Sequence, residues 1–442
     1  MSVPVSATLA INEALEKRRR AGLPVLPLGF GEAGLPVHPA LREALSAHGH
    51  HNSYGPVTGL PELRTAAAGY WQRRALPADP DLMIVGPGSK PLLYGLLLSL
   101  GGDVVVPAPS WVSYAAQARL TGAQPVHVPA APGQGGVPQP ELLETAVTQA
   151  RSLGRDVRSV IVTVPDNPTG TVPSRDTVER LAEVARELDL VIVSDEIYRD
   201  LVHDDVTLVH SPAEFAPERT VVTTGLSKNL ALGGWRMGLA RFPDSAAGQQ
   251  LHSGVAGVAS EIWSSPATPV QHAAAFALSE PDQLVERVDR SRRLHGAVAR
   301  AVCDRLTSAG IPVPTPQAAF YLYPDFQPWR EHLAAHGVTS GAELATYLLD
   351  SYGMGTVPGA EFEGGDKALR IRLATSMLYG TDEAEQCAAL AAEEPTELPW
   401  IRAHLDRLET ILQELAPGGG DDGATRGHDE ATRGHDDVTS AH

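Results

Sequence analysis

The sequence predicts an α/β fold: a mainly parallel central sheet covered by helices on both faces, joined to a smaller α+β domain. Short continuous apolar runs such as Val191-Ile192-Val193 recur between helical stretches, without the alternation of a sheet that has one wet face. After Phe242 the strand–helix alternation gives way to longer helices. The length of 442 residues also exceeds what one hydrophobic core usually fills.

Taken in order, residues 11–20 predict a helix that stops near Gly22, and 24–31 an extended piece leading into Gly29-Phe30-Gly31-Glu32-Ala33-Gly34. Residues 38–48 predict a second helix, followed by a loop at His50-His51-Asn52-Ser53-Tyr54-Gly55. Pro61 opens a third helix that runs to about Arg74, at a position where proline's missing N–H costs nothing. Strands at 82–85, 104–107, 124–128, 159–164, 190–195 and 220–223 then alternate with helices at 90–100, 111–120, 141–152 and 175–188, and a last strand of this series spans 238–242. Beyond it come a long helix at 282–309, a strand at 319–324, a helix at 342–351, a strand at 369–374, and closing helices from Asp382 and over 400–415. The expected domains are 1–50 as a segment of the small domain, 51–299 as the large domain, 300–416 as the rest of the small domain, and 417–442 as a disordered tail. The tail repeats Ala-Thr-Arg-Gly-His-Asp from 424 and from 431 and has almost no apolar residues to offset ordering. Its histidines are read as inert, and no metal site is expected.

Composition excludes several functions. A formal charge of −18 repels nucleic acid and anionic membranes, so neither is an expected partner. Two cysteines, Cys303 and Cys387, stand outside any paired motif, which argues against a disulfide scaffold or a zinc site and for a reducing compartment. No basic patch with a long apolar run opens the chain, and 92–100 is too short to span a membrane. The expectation is a soluble, cytoplasmic protein.

Ligands in such sheets bind beyond the carboxyl ends of the strands, and the candidate residues cluster there. The run Thr223-Thr224-Gly225-Leu226-Ser227-Lys228 continues into Gly233-Gly234-Trp235-Arg236-Met237-Gly238. A desolvated lysine loses its proton readily and attacks carbonyls, while an arginine fork suits a phosphate. Together they match the needs of pyridoxal 5′-phosphate (PLP); the bland alternative is an exposed loop lysine and a solvated arginine. Asp195 ends an apolar strand, where it either pairs with a cation such as a protonated pyridine or caps a helix. Tyr198 can donate to the ring oxygen. Asn167 in Pro165-Asp166-Asn167-Pro168-Thr169-Gly170 can donate to the same oxygen or simply form an Asn-Pro turn. Gly88-Ser89-Lys90 lies between a strand and a helix, a setting that cradles phosphate. Trp111 can stack on a flat ring or only pack. Arg370 and Arg372, two apart on one strand, share a face that either grips a carboxylate or is a solvated edge.

Together and in this order, these pieces resemble the class I/II aminotransferases, PLP enzymes of fold type I related to aspartate aminotransferase. The resemblance spans roughly residues 28–392. It implies Lys228 as the Schiff-base lysine, with Ser227 beside it, Arg236 on the phosphate, and Asp195 and Tyr198 on the ring nitrogen and ring oxygen. Asn167 falls on the Asn-Pro-Thr-Gly asparagine, Gly88-Ser89-Lys90 on the phosphate-loop tripeptide, and Trp111 on the stacking aromatic. Tyr54 resembles the tyrosine that reaches the phosphate of the neighbouring subunit, which implies a homodimer. Arg370 matches the arginine that grips the substrate α-carboxylate, and Gly31 the glycine lining the substrate pocket. The expected reaction moves an amino group between an α-amino acid and a 2-oxo acid. A lyase, synthase or cyclase using the same cofactor is the alternative, and a regulator without turnover is a third possibility that the intact Lys228, Asp195 and Arg370 argue against.

The pattern departs in places. Gly225 stands where relatives often carry a hydroxyl, and Gly31-Glu32-Ala33-Gly34 where they commonly read Gly-x-Pro-Asp. Around 260–266 there is no arginine for a distal acid but there is Glu261, which argues against dicarboxylic substrates and for cationic or hydrogen-bond-donating side chains.

Overall fold

The computed structural model describes residues 7–363, 365 and 368–418; most of the expected tail lies outside them. Its strands are β1 (Leu26–Pro27), β2 (Met83–Gly86), β3 (Asp103–Ala108), β4 (Pro125–Pro129), β5 (Val157–Thr163), β6 (Val191–Asp195), β7 (Thr220–Gly225), β8 (Gly238–Arg241), β9 (Tyr321–Leu322), β10 (Met354–Gly355), β11 (Val357–Pro358) and β12 (Ile371–Ala374). Seven of them form the main sheet in the order β2-β8-β7-β6-β5-β3-β4. The pairs from β4 through β7 are parallel, while β8 runs antiparallel to both β7 and β2. The reversal has a local cause. The chain from Gly225 to Gly238 holds only a short helix and a 3-10 turn, too little to cross over the sheet and return parallel.

The continuous apolar strands are covered on both faces, as their composition demands. Val160, Val162 and Ile192 pack against the helices Pro140–Ser152 and Arg175–Glu187. Their neighbours Ile161 and Val193, with Val104 and Val106, pack against Leu92, Leu93 and Leu96 of the helix Ser89–Leu100. A separate core gathers Leu26 and Leu28 with residues from Leu294 to Leu415. It contains a three-stranded antiparallel sheet, β11-β12-β9, and the parallel pair β1–β10. The helix Asp282–Ser308 joins the two regions: Leu284 packs with Leu63 and Trp71 below the main sheet, and Leu294, Val298, Val302 and Leu306 belong to the C-terminal core.

Two long helices, Ala246–Ile262 and Thr268–Leu278, were not foreseen, nor were the short ones at Pro212–Phe215, Arg330–Ala335 and Ala360–Glu363. The two long ones are rich in alanine and other small residues, so their sequence offers no wide apolar stripe to read. The loop expected around Lys228 contains a four-residue helix, Leu226–Asn229.

Candidate active site

The register of the sheet assembles the first wall. Thr163 at the end of β5 lies beside Asp195 at the end of β6, which lies beside Thr223 on β7. Asp195 is 3% exposed. Its carboxylate accepts from Tyr114 Oη at 2.9 Å and from Thr223 Oγ1 at 3.3 Å. Because Tyr114 spends its proton on Asp195, Thr163 Oγ1 donates to Tyr114 Oη at 2.7 Å. Burial raises the Asp195 carboxyl to about 6, against the opposing pull of the bonds from Tyr114 and Thr223. Burial, then the charge of Asp195, also pushes the Tyr114 phenol well up, so it stays a donor.

At the far end glycines let backbones meet. Gly86 pairs with Gly238 across β2 and β8. A Cβ on Gly238 would lie 2.2 Å from the Gly88 carbonyl carbon, so only glycine lets β8 pass this turn. Gly88 has φ +94°, and a Cβ there would lie 2.4 Å from Arg236 Nη2. Arg236 is itself left-handed, with φ +54°, and its Nη1 donates to the Gly233 carbonyl at 2.9 Å. Such a conformation is strained for a side chain with a Cβ and aims the guanidinium at the Gly88-Ser89 turn. Ser89 opens the helix Ser89–Leu100, whose first N–H groups lack helical acceptors. Burial, then Arg236 and Lys228, lower Lys90, which also sits 5.0 Å over the Trp111 ring. Crowded cations of this kind call for an anion.

Lys228 is half-buried on the short helix after β7, and its Nζ donates to the Gly31 carbonyl. Gly225 caps that helix; a Cβ there would come within 2.7 Å of the Met237 carbonyl oxygen, which excludes the expected hydroxyl residue without a backbone shift. Across the cavity, Tyr198 Oη accepts from Asn167 Nδ2 at 3.4 Å and bonds Tyr321 Oη at 3.0 Å.

Arg372 completes this wall. It is 1% exposed on β12, donates through Nη2 to Gly29 O at 2.6 Å and through Nη1 to Asn167 Oδ1 at 3.4 Å, and leaves Nε buried without a partner. This corrects the sequence reading, which put Arg370 here. Arg370 is turned to its own carboxylates, Asp325 at 2.9 Å and Glu363 at 2.9 Å, and its side chain is 40% exposed. The two arginines share a face, but two residues of strand separate them by about 6.6 Å. Only Arg372 reaches the cavity.

The cavity has a volume of about 270 Å³, and Gly31, Ser89, Lys90, Trp111, Asn167, Asp195, Tyr198, Ser227, Lys228 and Arg236 all line it. Gly88 stands directly behind Arg236. Tyr54 is not part of the lining and is 92% exposed. Glu261 is exposed at the end of the helix Ala246–Ile262, outside the lining of this chain's own cavity. Sequence reasoning missed Tyr114, Tyr321 and Leu9, which also line the cavity. Tyr114 had a readable signal, since it lies three residues after Trp111 at the start of a helix and so shares its side. Tyr321 had none; in Phe320-Tyr321-Leu322 it looks like any packed aromatic.

The family model for "Aminotransferase class I and II" matches residues 24–383. The chain belongs to the class I and II aminotransferases. Relatives of this aminotransferase include a probable aspartate/prephenate aminotransferase of Thermus aquaticus, 33% identical over 82% of this chain and 90% of the relative. Another is an aspartate aminotransferase of Geobacillus stearothermophilus, 34% identical over 85% of this chain and 93% of the relative. Among solved structures it is similar to an aspartate aminotransferase of Thermus thermophilus with maleate, at a TM-score of 0.78 and 30% identity, covering 92% of this chain and 97% of that one. The aminotransferase has the fold type I architecture expected of it, and membership of the family implies PLP as cofactor. Among its described residues no helix is long and apolar enough to cross a membrane.

Proposed function

We propose that this aminotransferase holds PLP in the cavity between Asp195 and the Ser89–Arg236 end, and transfers the amino group of an α-amino acid to a 2-oxo acid, with aspartate as the leading donor. The observation that carries this is the convergence of Lys228, buried Asp195 and buried Arg372 on one cavity. The cavity suits the cofactor on its own chemistry. Ser89, Lys90, Ser227 and Arg236 gather donors and cations at one end, a buried acid stands at the other, and the space that a Cβ at Gly88 would fill is left to Arg236.

PLP, when bound, supplies an aldehyde that condenses with amines and a ring that accepts electrons from the substrate Cα. The chain's residues do the rest. Asp195, positioned by Tyr114 and Thr223, holds a proton on the ring nitrogen. Tyr198 and Asn167 donate toward the ring oxygen, and Trp111 covers a face. The Gly88–Lys90 turn with Ser227 and Arg236 binds the phosphate. Arg372, whose Nε is unpartnered, grips the substrate α-carboxylate beside Asn167 and Gly31. That anchor fixes which Cα bond faces Lys228. Lys228 Nζ would hold the cofactor aldehyde at rest and, as a free amine, is the base placed to take the Cα proton.

The names of the relatives support aspartate. Glu261 is exposed and outside the lining in the single chain, so it bears on the substrate only where it reaches the cavity of a neighbouring copy. Tyr54, exposed in the single chain, fits a role at the phosphate of a neighbouring copy in a homodimer. The large domain is taken as 51–299 and the small domain as 300–416 with 1–50. The two free cysteines support a reducing, cytoplasmic setting. The test is to incubate the purified protein with pooled amino acids and 2-oxo acids and identify products by mass spectrometry. Paired amino- and oxo-acid products that vanish in Lys228→Ala, together with borohydride-trapped cofactor, are expected. Ammonia and an eliminated side chain in place of paired products would overturn transamination.

A further inference from the structure

Away from the cavity, three histidines from separate stretches come together. His48 follows the helix Pro39–Ala47, His51 lies in the next loop, and His272 sits on the helix Thr268–Leu278. One ligating atom from each lies within 4.8 Å of the others, and all three side chains are half-buried. The His272 ring lies 4.3 Å from each of the other two, centroid to centroid. His48 Nδ1 is buried without a hydrogen-bond partner. Glu62 pairs with His272 at Nδ1, which leaves Nε2 as the nitrogen that can ligate.

We propose that His48, His51 and His272 form a binding site for a divalent transition cation of the zinc class, with Glu62 orienting His272. Three imidazoles and a water satisfy the tetrahedral preference of zinc. The carboxylate on the far nitrogen of a ligating histidine is the arrangement that fixes its tautomer and raises its basicity. The His272 ring stacks on His48 at 11° and on His51 at 30°, and zinc–nitrogen bonds of about 2.0–2.1 Å place the nitrogens roughly 3.4 Å apart, so closing the site takes an approach of about 1.4 Å and a turn of the rings out of the stack. The ion would fasten that loop to the helix Thr268–Leu278, beside the existing bond from Thr268 Oγ1 to Ser53 O at 2.8 Å. The same loop carries Tyr54.

The experiment titrates Zn²⁺ into the full-length holoenzyme carrying His428→Ala, His435→Ala and His442→Ala, so that the tail offers no competing imidazole. One equivalent should bind and raise Tm, and Co²⁺ in its place should show the intense visible absorption of a four-coordinate site. His51→Ala and His272→Ala should each weaken Zn²⁺ binding tenfold or more and abolish the rise in Tm. The double variant His332→Ala with His336→Ala, which removes an imidazole pair elsewhere, should not. Circular dichroism and cofactor absorbance follow folding; should His272→Ala misfold, His51→Ala in its loop decides alone. Absent binding, or binding that His51→Ala leaves unchanged, overturns the site. None of these readouts depends on turnover, so the result stands apart from the proposed reaction.

Discussion

Asp195 holds its proton up to about 6 because its carboxyl is taken out of water. A carboxyl raised in the folded state binds its proton more tightly than the unfolded chain does. Its stabilising contribution is therefore full below the unfolded value of 3.8 and is lost as pH rises through about 6. The shift corresponds to on the order of 3 kcal/mol. The cofactor-free protein should thus lose stability between about pH 4 and pH 6, and Asp195→Asn should flatten that part of the curve; Tm against pH for both forms is the measurement. In the loaded enzyme the same substitution removes the charge that holds the ring proton. Deprotonation of the substrate, followed in a single turnover, should then slow roughly 100-fold or more. The two arginines give a second test at this scale. Arg372→Lys replaces a planar fork by a point charge and should raise KM for the amino donor tenfold or more. Arg370→Ala should leave KM within about twofold, since it loses only half-exposed ion pairs. Both arginines were legible as a pair on one face. Which of them enters the cavity was not, because Asp325, 45 residues away, and Glu363, on the preceding turn of chain, decide where Arg370 goes.

Between residues and the whole, the short helix that carries Lys228 is held from its outer side. The Asp200 carboxylate accepts from Asn229 Nδ2 at 3.1 Å, from Tyr70 Oη at 2.9 Å and from Arg74 Nε at 2.9 Å. The side chains of Arg74 and Asp200 are 19% and 12% exposed. Asp200→Ala would leave the Arg74 charge with Glu280 and strip Asn229 and Tyr70 of their shared acceptor, at an expected cost of about 1–3 kcal/mol in urea unfolding. The strands that build the main sheet were readable because burial on both faces leaves an unmixed apolar run. The helices Ala246–Ile262 and Thr268–Leu278 were not, because small residues pack closely without marking a side. The Asp200 cluster was hidden as well: its members come from four stretches, and no local pattern ties them together.

At the scale of the whole molecule, the pattern changes after Phe242, but Val255 and Ala274 beyond it still pack with the main sheet, and the C-terminal core takes up the chain from Leu294 to Leu415. That Leu26 and Leu28 return to it was legible only in part, since two buried leucines say nothing about which core receives them. The tail beyond Gly418 is expected to be dispensable on composition alone. Removing it should leave Tm within about 2 °C and turnover unchanged; a larger loss in either would show that it docks. The site itself is divided between the regions, with Lys228 and Asp195 on the main sheet and its flank and Arg372 on β12. The helix Asp282–Ser308 that bridges them has 27 residues and so measures about 40 Å. It acts as a lever: a tilt of about 5° at its middle moves each end by nearly 2 Å, more than the tolerance of a hydrogen bond. The reach of Arg372 toward a substrate lying over Lys228 is therefore geared to the stiffness of that beam.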